Sequence, residues 1–453
     1  MIARITRPFV IAASLAMAVP ATAESLGDAL SGAYLNSGLL KQNQALLRAA
    51  DENVAQAVAA LRPIVSYSAN LSNNAPPGPA GALNGSLGVN VSMLLFDFGN
   101  SELGIEAAKE SVLATRQSLL SVESQVLLRA VQAYTSVRDS QSFVALRENN
   151  VRVITQQRRA AEDRFEVGEI TRTDVSLAEA SLAGARSGLV AEQGNLARAR
   201  EEYRSAVGRY PGPLQTLPNP PAIPSTLDEA LAIARQNSPT IVQAKHNVTV
   251  AEINVKRAEL GMKPTLQGSG GVAIDDDGDT SSSLGLTFSG PIYRGGALSA
   301  GLRQAKANRD ATRAQLLTAR LSVDQQVANA WANLSVAAAV LTASEQEVRA
   351  LTLALRGLQE EARLGSRTTL DVLDQEQDLL DAQTNRVSAQ TDRYVAVYQL
   401  LSAMGLLTAD HLGLNVPRYD PAAYYNAVKD APVVNVSPQG ERLDRVLKGL
   451  GRE

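Results

Sequence analysis

The sequence predicts a mainly helical chain with a membrane β-barrel, in which long α-helical hairpins and four β-strands per chain arise from a tandem duplication. Three observations support this prediction. The second half of the chain repeats the residue pattern of the first half. Each half contains a stretch of about 65 residues with apolar residues at sevenfold spacing, and two segments in which apolar residues alternate with small or polar ones.

Residues 1–23 have the three-part layout of a secretory signal peptide. Arg4 and Arg7 precede an apolar run and a triplet of small residues that ends at Ala23, and this layout predicts cleavage after Ala23. A membrane anchor is the alternative, but the apolar run is shorter than the ~20 residues that a spanning helix needs. We expect no later helix to span a membrane, so that any membrane insertion would be through β-structure.

The composition argues against an ordinary hydrolase or metalloenzyme. The chain has no cysteine, two histidines (His246 and His411) and a formal charge of −3. Disulfides, thiolate metal sites and cysteine nucleophiles are therefore excluded, and neither imidazole chemistry nor a nucleic-acid surface is indicated. We predict that the protein is not an enzyme and has no catalytic residue, metal, cofactor or nucleic-acid partner.

Two copies of one plan account for most of the chain. A constant shift aligns Leu26, Ala29, Leu30, Val54 and Pro63 with Leu227, Ala230, Leu231, Val255 and Pro264. A segment rich in proline separates the copies and is expected to be extended. The predicted divisions are the signal peptide (1–23), the first structural repeat (24–210), the proline-rich linker (211–224), the second structural repeat (225–416) and a periplasmic C-terminal tail (417–453).

Each copy has the same order of elements. A helix of about 25 residues ends at a proline, and two alternating segments around a loop then predict a β-hairpin. A helix of about 65 residues and another of about 36 residues follow, and the last ends near Gly208 or Gly405. At ~1.5 Å per residue, the two shorter helices laid end to end match the long one. We therefore predict a rod of antiparallel helices, with hairpins at one end and helical tips at the other.

Neither end of this rod is complete in one chain. Four strands cannot close a barrel, and a thin layer of helical hairpins leaves a face unburied. Strands of about ten residues have the length that crosses a bilayer when tilted. Three chains would supply twelve strands and a helical tunnel, so we predict a homotrimer in contact with membrane lipid. A dimer with eight strands is the weaker alternative, because its lumen would be too narrow.

The corners and tips of both copies resemble the TolC family of outer-membrane export channels over residues 25–425. The specific segments are 95–99 (LFDFG) and 291–296 (PIYRGG), where a strand turns into the long helix, and 164–168 (RFEVG) and 363–365 (RLG), at the helical tips. The resemblance implies a trimeric 12-stranded barrel in the outer membrane, a periplasmic helical tunnel, and a mixed α/β belt built by the linker and the C-terminal region.

The resemblance also implies a pore gate at the periplasmic tip. Its inner carboxylates match Asp371 and Asp374, and its closing bonds run from Arg367 to Thr173 or Asp174 of the neighbouring hairpin. Threefold symmetry would make each carboxylate a ring that attracts cations and repels anions.

Simpler interpretations of these residues stay open. The pairs Thr171 with Asp174 and Thr368 with Asp371 fit the spacing of helix capping boxes, and Arg367 could be a solvated surface residue. The family's gate tyrosine falls on Ala362. One closing hydrogen bond should therefore be absent, and the closed state should be held less tightly.

The extreme turns contain Val167 with Gly168 and Leu364 with Gly365. Tight reversal of the backbone explains the glycines without further function. In the family, the same turns meet a periplasmic adaptor, so these four residues are candidate adaptor contacts.

These features together predict a passive exit duct for efflux and/or type I secretion. Energy for transport would come from partners, namely a periplasmic adaptor (membrane fusion) protein and an inner-membrane pump or ABC exporter, as the resemblance implies. The protein would lie in the outer membrane with a large periplasmic portion. The alternative is a soluble periplasmic coiled-coil scaffold, in which the alternating segments form a cap.

Overall fold

The computed structural model describes residues 23–74, 82–429 and 438–449. The predicted signal peptide lies outside the described residues except for its last residue, Ala23, and so do parts of the first hairpin loop and of the C-terminal tail.

The two repeats have the same six elements in the same order. The first repeat contains α1 (Leu26–Asn36), α2 (Gly38–Ala59), β1 (Ile64–Asn74), β2 (Ala82–Phe96), α3 (Asn100–Glu166) and α4 (Arg172–Val207). The second repeat contains α5 (Leu227–Asn237), α6 (Pro239–Leu260), β3 (Thr265–Asp275), β4 (Thr280–Ser289), α7 (Ala297–Arg363) and α8 (Thr369–Ala403). Two short helices follow, α9 (Pro421–Val428) and α10 (Pro438–Gly449). The helices and hairpins expected from the sequence are confirmed, whereas α1 and α5 were not predicted.

The two shorter helices of each repeat meet end to end, as their lengths predict. Gly208 ends α4 with φ +90°, and Asn36 Nδ2 at the end of α1 donates a hydrogen bond to the Val207 carbonyl oxygen at 2.9 Å. Gly405 follows α8 with φ +75°, and a Cβ atom there would lie 2.7 Å from the Asn237 carbonyl oxygen. Glycine is therefore required at both joints, by conformation and by space.

The main hydrophobic core lies at the level of these joints. It brings together residues of α1, α3, α4, α5, α7 and α8, and its largest fully buried side chains include Tyr134 and Tyr203. The Tyr203 hydroxyl donates to Glu24 Oε1 at 2.7 Å, and Arg209 Nη2 donates to the same oxygen at 2.7 Å. A backbone bridge between Glu24 and Leu214 joins the start of the first repeat to the linker. The core thus fixes the linker against both repeats.

The four strands form one antiparallel sheet in the order β1-β2-β3-β4. Val65 lies opposite Val91, Val91 opposite Gly270, and Gly270 opposite Leu284. The strands β1 and β4 are therefore the two edges of the sheet, and within the described chain neither has a second neighbour.

The expectation that no later helix could span a membrane is wrong by length and composition. Within the described residues, α7 is one helix that is long and apolar enough to do so. Only 11% of this apolar stretch is buried in the chain. Its composition reflects a run of alanine, valine and leucine that the single chain leaves uncovered.

Candidate functional site: the sheet and the helical tips

One face of the sheet is apolar across all four strands. The pairing register places the following side chains on this face: Val65, Tyr67, Leu71, Leu87, Val89, Val91, Val272, Ile274, Leu284, Leu286 and Phe288. All of them are exposed, and Leu284 reaches 94%. A water-soluble sheet would cover such a face, because contiguous apolar patches of this size are rare on soluble monomers.

The opposite face is small and polar. Its described side chains are mostly serine, asparagine, threonine and glycine, namely Ser66, Ser68, Asn70, Ser86, Gly88, Asn90, Ser92, Gln267, Ser269, Gly271, Ser281, Ser283, Gly285 and Thr287. Asp275, at the end of β3, is the charged residue on this face of the described strands. The alternation matches a strand with lipid on one side and water on the other.

The corner between β2 and α3 explains the motif at residues 95–99. Asp97 accepts hydrogen bonds from the Ser101 backbone nitrogen at 2.7 Å and from the Ser101 hydroxyl at 2.6 Å, so its carboxylate caps the start of α3. Phe98 and Gly99 have positive φ values of 60° and 84°. In the second repeat, Gly295 and Gly296 take the positive φ values before α7. Each motif therefore encodes an abrupt change from strand to helix.

The turns at the far end of the helices are nearly identical in the two repeats. Gly168 and Gly365 both have φ +80°, and neither would bring a Cβ atom within 4 Å of another residue. Val167 is 72% exposed and Leu364 is 78% exposed. The glycines are required here by backbone conformation alone, and the two apolar side chains lie uncovered beside them.

Both predicted capping boxes are present. The Thr171 hydroxyl accepts from the Asp174 backbone nitrogen, and the Asp174 carboxylate accepts from the Thr171 backbone nitrogen at 2.9 Å. Thr368 and Asp371 repeat the arrangement at the start of α8, with the same 2.9 Å distance. These hydrogen bonds with the threonines hold the pKa of Asp174 and the pKa of Asp371 below the usual range.

The chain does not bring Arg367 to the residues predicted as its latch partners. Its Nε donates to Glu361 Oε2 of the same hairpin at 3.0 Å, and both side chains are half exposed. Thr173 is exposed on α4, and Asp374 is exposed one turn beyond Asp371. Among the described residues, Asp374 has no hydrogen-bond or ion-pair partner. Asp371 thus serves as a cap, whereas the Asp374 carboxylate is not engaged.

Three nearby residues complete the second tip. Leu373 is 5% exposed and packs against residues of α3 and α4, so the helical hairpins α3–α4 and α7–α8 of one chain are in contact. Ala362 is buried in a cluster between α7 and α8. The predictions missed Glu376, whose Oε1 accepts from Gln359 Nε2 at 3.1 Å and whose pKa is raised by burial. The sequence signal for it was its alignment with Glu179 in the duplication.

No group of three or more histidine, aspartate or glutamate side chains in the described ranges could hold a metal ion. The distinctive surfaces of this part of the chain are thus the two-faced sheet and the two helical tips.

Comparison with known proteins shows which family this chain resembles. The model of the family described as outer membrane efflux protein matches residues 29–209 and 230–406. The outer membrane efflux protein BepC of Brucella suis biovar 1 is 36% identical over 417 residues, which cover 90% of this chain and 91% of the relative. The outer membrane protein TolC of Escherichia coli K12 is 25% identical over 454 residues, which cover 94% and 90%.

Solved structures agree on the fold. A structure of CusC, from work on folding and transmembrane channel formation, superposes with a TM-score of 0.75 at 20% identity, covering 84% of this chain and 91% of that one. The outer membrane protein VceC of Vibrio cholerae superposes with a TM-score of 0.70 at 21% identity, covering 84% and 96%. With these matches over both repeats, the chain belongs to the outer membrane efflux protein family and has the fold of the TolC-like channel-tunnels.

Proposed function

We propose that the protein is a passive, trimeric exit duct in the outer membrane, for efflux and/or type I secretion, which is gated at its periplasmic tip. An adaptor and an inner-membrane pump would open the duct by docking there. The observation that carries this proposal is the sheet, with an exposed apolar face on one side and an almost uncharged polar face on the other. Lipid suits the first face, and a water-filled lumen suits the second.

The two open edges of the chain support a homotrimer. The edges β1 and β4 leave backbone groups available for pairing with further copies. The outer face of α7 exposes apolar residues along its length, namely Leu317, Leu321, Val336, Val340 and Leu353. At the other edge of the helical layer, α2 and α4 pack on α3 and expose Leu39, Leu46 and Val190. Because these two sides differ, a contact between them is head-to-tail, and it gives a ring when the rotation between copies closes. Closure with three chains gives twelve strands.

The gate is part of the same proposal. Asp371 and Asp374 lie on one side of the first turns of α8, and a ring of three copies would concentrate negative charge at the tip. Arg367 would exchange its partner Glu361 for Thr173 or Asp174 of a neighbouring hairpin in the closed state. The partly exposed Arg367–Glu361 pair supports such an exchange, because surface ion pairs contribute only about 0–1 kcal/mol.

The partners are proposed from the tips. Val167 and Leu364 are exposed apolar side chains next to the tight turns at Gly168 and Gly365. Each tip thus presents one apolar side chain that could pack against a helical adaptor. The pump would supply energy through this adaptor.

The limits of the mature chain and its divisions also belong to this proposal. Cleavage after Ala23 would leave Glu24 first, and that residue is held in the core by Tyr203 and Arg209. The division into 24–210, 211–224, 225–416 and 417–453 stands as proposed from the sequence.

A pair of neighbouring substitutions in β2 tests the membrane role. Val89 lies on the apolar face near the middle of the sheet, and Asn90 lies on the polar face. Arginine facing lipid at mid-membrane costs about 2–4 kcal/mol, and a trimer would carry three copies. We expect Val89→Arg to lose heat-sensitive oligomers from the outer-membrane fraction, and Asn90→Arg to retain them.

Two outcomes would refute the duct. Equal recovery of Val89→Arg and Asn90→Arg in the outer membrane would mean that the apolar face does not meet lipid. Recovery of the unsubstituted protein as a soluble monomeric rod would instead support the periplasmic scaffold.

A further inference from the structure

A fully buried carboxylate interrupts the apolar stripe of α2. Leu47, Asp51 and Val54 are all 0% exposed. Their spacing places them on the same face of the helix, where Val112 of α3 packs against Leu47 and Val54. An aspartate in such a position needs hydrogen-bond donors, because burial of an unpaired charge is costly.

Asp51 has no such donors in the described part of the chain. Neither of its carboxylate oxygens has a hydrogen-bond partner, and neither do two other buried polar atoms that interact with it electrostatically, Arg116 Nε of α3 and the hydroxyl of Tyr419. Most buried polar groups in proteins are bonded. Unsatisfied atoms from three separate elements therefore converge on one place.

The duplication supplies an internal comparison. The positions equivalent to Asp51 and Arg116 in the second repeat are Glu252 on α6 and Arg313 on α7. There, Arg313 Nη2 donates to Glu252 Oε1 at 2.5 Å, and the pair is partly exposed. In the first repeat, the acid is Asp51, whose side chain is one methylene shorter than that of Glu252 and is buried. The acid and the arginine are thus hydrogen-bonded in the second repeat (Glu252 and Arg313) and are not hydrogen-bonded in the first (Asp51 and Arg116).

The cover is the C-terminal segment, which we define as residues 419–428. Arg116 Nη2 donates to the Pro421 carbonyl oxygen at 3.3 Å, and the Arg116 guanidinium lies 5.7 Å from the centre of the Tyr425 ring. The Tyr424 hydroxyl donates to Glu52 Oε1 at 2.5 Å. The helix α10 packs in turn on α9. The groups around Asp51 are thus the same groups that hold the C-terminal segment.

We propose that Asp51 is a proton-binding site whose occupancy sets how firmly the C-terminal segment docks on α2 and α3. With a proton, the side chain is neutral, and its enclosure among apolar side chains costs less. Without the proton, a charge is enclosed with no donor on either oxygen. Docking therefore takes up a proton.

The surrounding charges do not remove this effect. The groups that face the site are Arg48 and Glu52 from α2, Arg116 from α3, and Tyr419, Asp420 and Tyr424 from the C-terminal segment. Burial raises the pKa of Asp51 to about 6 from its ordinary 3.8; Arg116 lowers it and Glu52 raises it. Because the pKa is higher in the docked state, docking strengthens as the pH falls through about 6 and weakens above it.

The expected size follows from these two pKa values. If the undocked carboxyl keeps its ordinary pKa, the docking equilibrium constant is about tenfold larger at pH 5 than at pH 7.5. Hydrogen–deuterium exchange of the full-length protein in detergent micelles measures this ratio through peptides that cover residues 419–428. Exchange times are scaled for the intrinsic pH dependence of amide exchange.

Three variants make the measurement specific. Asp51→Asn removes the proton site and should abolish the pH step. Asp51→Glu restores the length that reaches arginine in the second repeat and should reduce the step. Glu252→Gln removes the exposed counterpart and should leave the step unchanged.

Each outcome decides the proposal. A tenfold step that Asp51→Asn abolishes and Glu252→Gln preserves supports it. A flat profile for the unsubstituted protein overturns it, as does a step that persists in Asp51→Asn. Should Asp51→Asn fail to fold, the profiles of the unsubstituted protein, Asp51→Glu and Glu252→Gln decide by the same criteria. None of these readouts depends on transport.

Discussion

The joint between α8 and α6 provides a sharp test of why the last helix of each repeat is followed closely by a glycine. At Gly405 (φ +75°), an added Cβ would lie 2.7 Å from the Asn237 carbonyl oxygen and 2.9 Å from Pro239 Cδ. At Gly365 (φ +80°), an added Cβ would meet nothing within 4 Å. The two positions therefore share the same backbone conformation and differ only in their surroundings.

The expected magnitudes follow from this difference. A left-handed backbone costs an L-residue roughly 1–2 kcal/mol, and Gly365→Ala should cost only that. Gly405→Ala adds an overlap with the rigid backbone of the α5–α6 connection, and overpacking typically costs about 1–3 kcal/mol more. The difference between the variants corresponds to about 5-fold to 150-fold in local opening, since 1.4 kcal/mol is tenfold.

Hydrogen–deuterium exchange on peptides that span the two sites measures this difference. We expect exchange around residues 400–407 to accelerate strongly in Gly405→Ala, and exchange around residues 360–368 to accelerate modestly in Gly365→Ala. Gly208→Ala should fall between them, because its Cβ would meet the Asn36 side chain at 2.7 Å instead of backbone. Equal acceleration in Gly405→Ala and Gly365→Ala would refute the steric argument.

Two further predictions concern the tip. Arg367→Ala should raise single-channel conductance in planar bilayers if Arg367 latches the closed gate, and an unchanged conductance would contradict the latch. The pKa of Asp371 is lowered by its hydrogen bonds with Thr368, so the carboxylate part of this cap contributes fully above the ordinary pKa of 3.8 and is lost as the pH falls through the lowered pKa. Thr368→Ala should therefore speed amide exchange at residues 369–372 at pH 6 and do so by less at pH 3, where the carboxylate part of the cap is weakened but the Thr368 hydroxyl still accepts from the Asp371 backbone nitrogen; an effect of equal size at both pH values would count against the carboxylate part.

The sequence was sufficient to predict the elements whose signals are local. Sevenfold spacing predicted α3 and α7, alternation predicted the hairpins, and the motif around Asp97 marked a corner. The helix α1 was missed although Ser25 and Asp28 form a capping box at its start, because an 11-residue helix carries little periodic signal.

Other features depend on distant parts of the chain. Asp51 is buried partly because the segment around Tyr419, which is far away in sequence, packs on this part of α2. No local sequence pattern predicts this burial. The partner of Arg367 within one chain, Glu361, was not predicted because the resemblance specifies contacts between hairpins of an assembly. In the proposed trimer, Glu361 of the same chain and the neighbouring hairpin would compete for Arg367.

The helices α3 and α7 each run for 67 residues without a break. They pass the joints at Gly208 and Gly405, where the shorter helices beside them meet end to end. Each residue of an α-helix advances the axis by about 1.5 Å and turns it by about 100°. Insertion of one residue would thus rotate everything beyond it by more than a quarter of a turn, and the apolar stripes of the adjoining helices would no longer meet. Evolution can change the reach of the rod only by altering both long helices together, in steps close to whole turns.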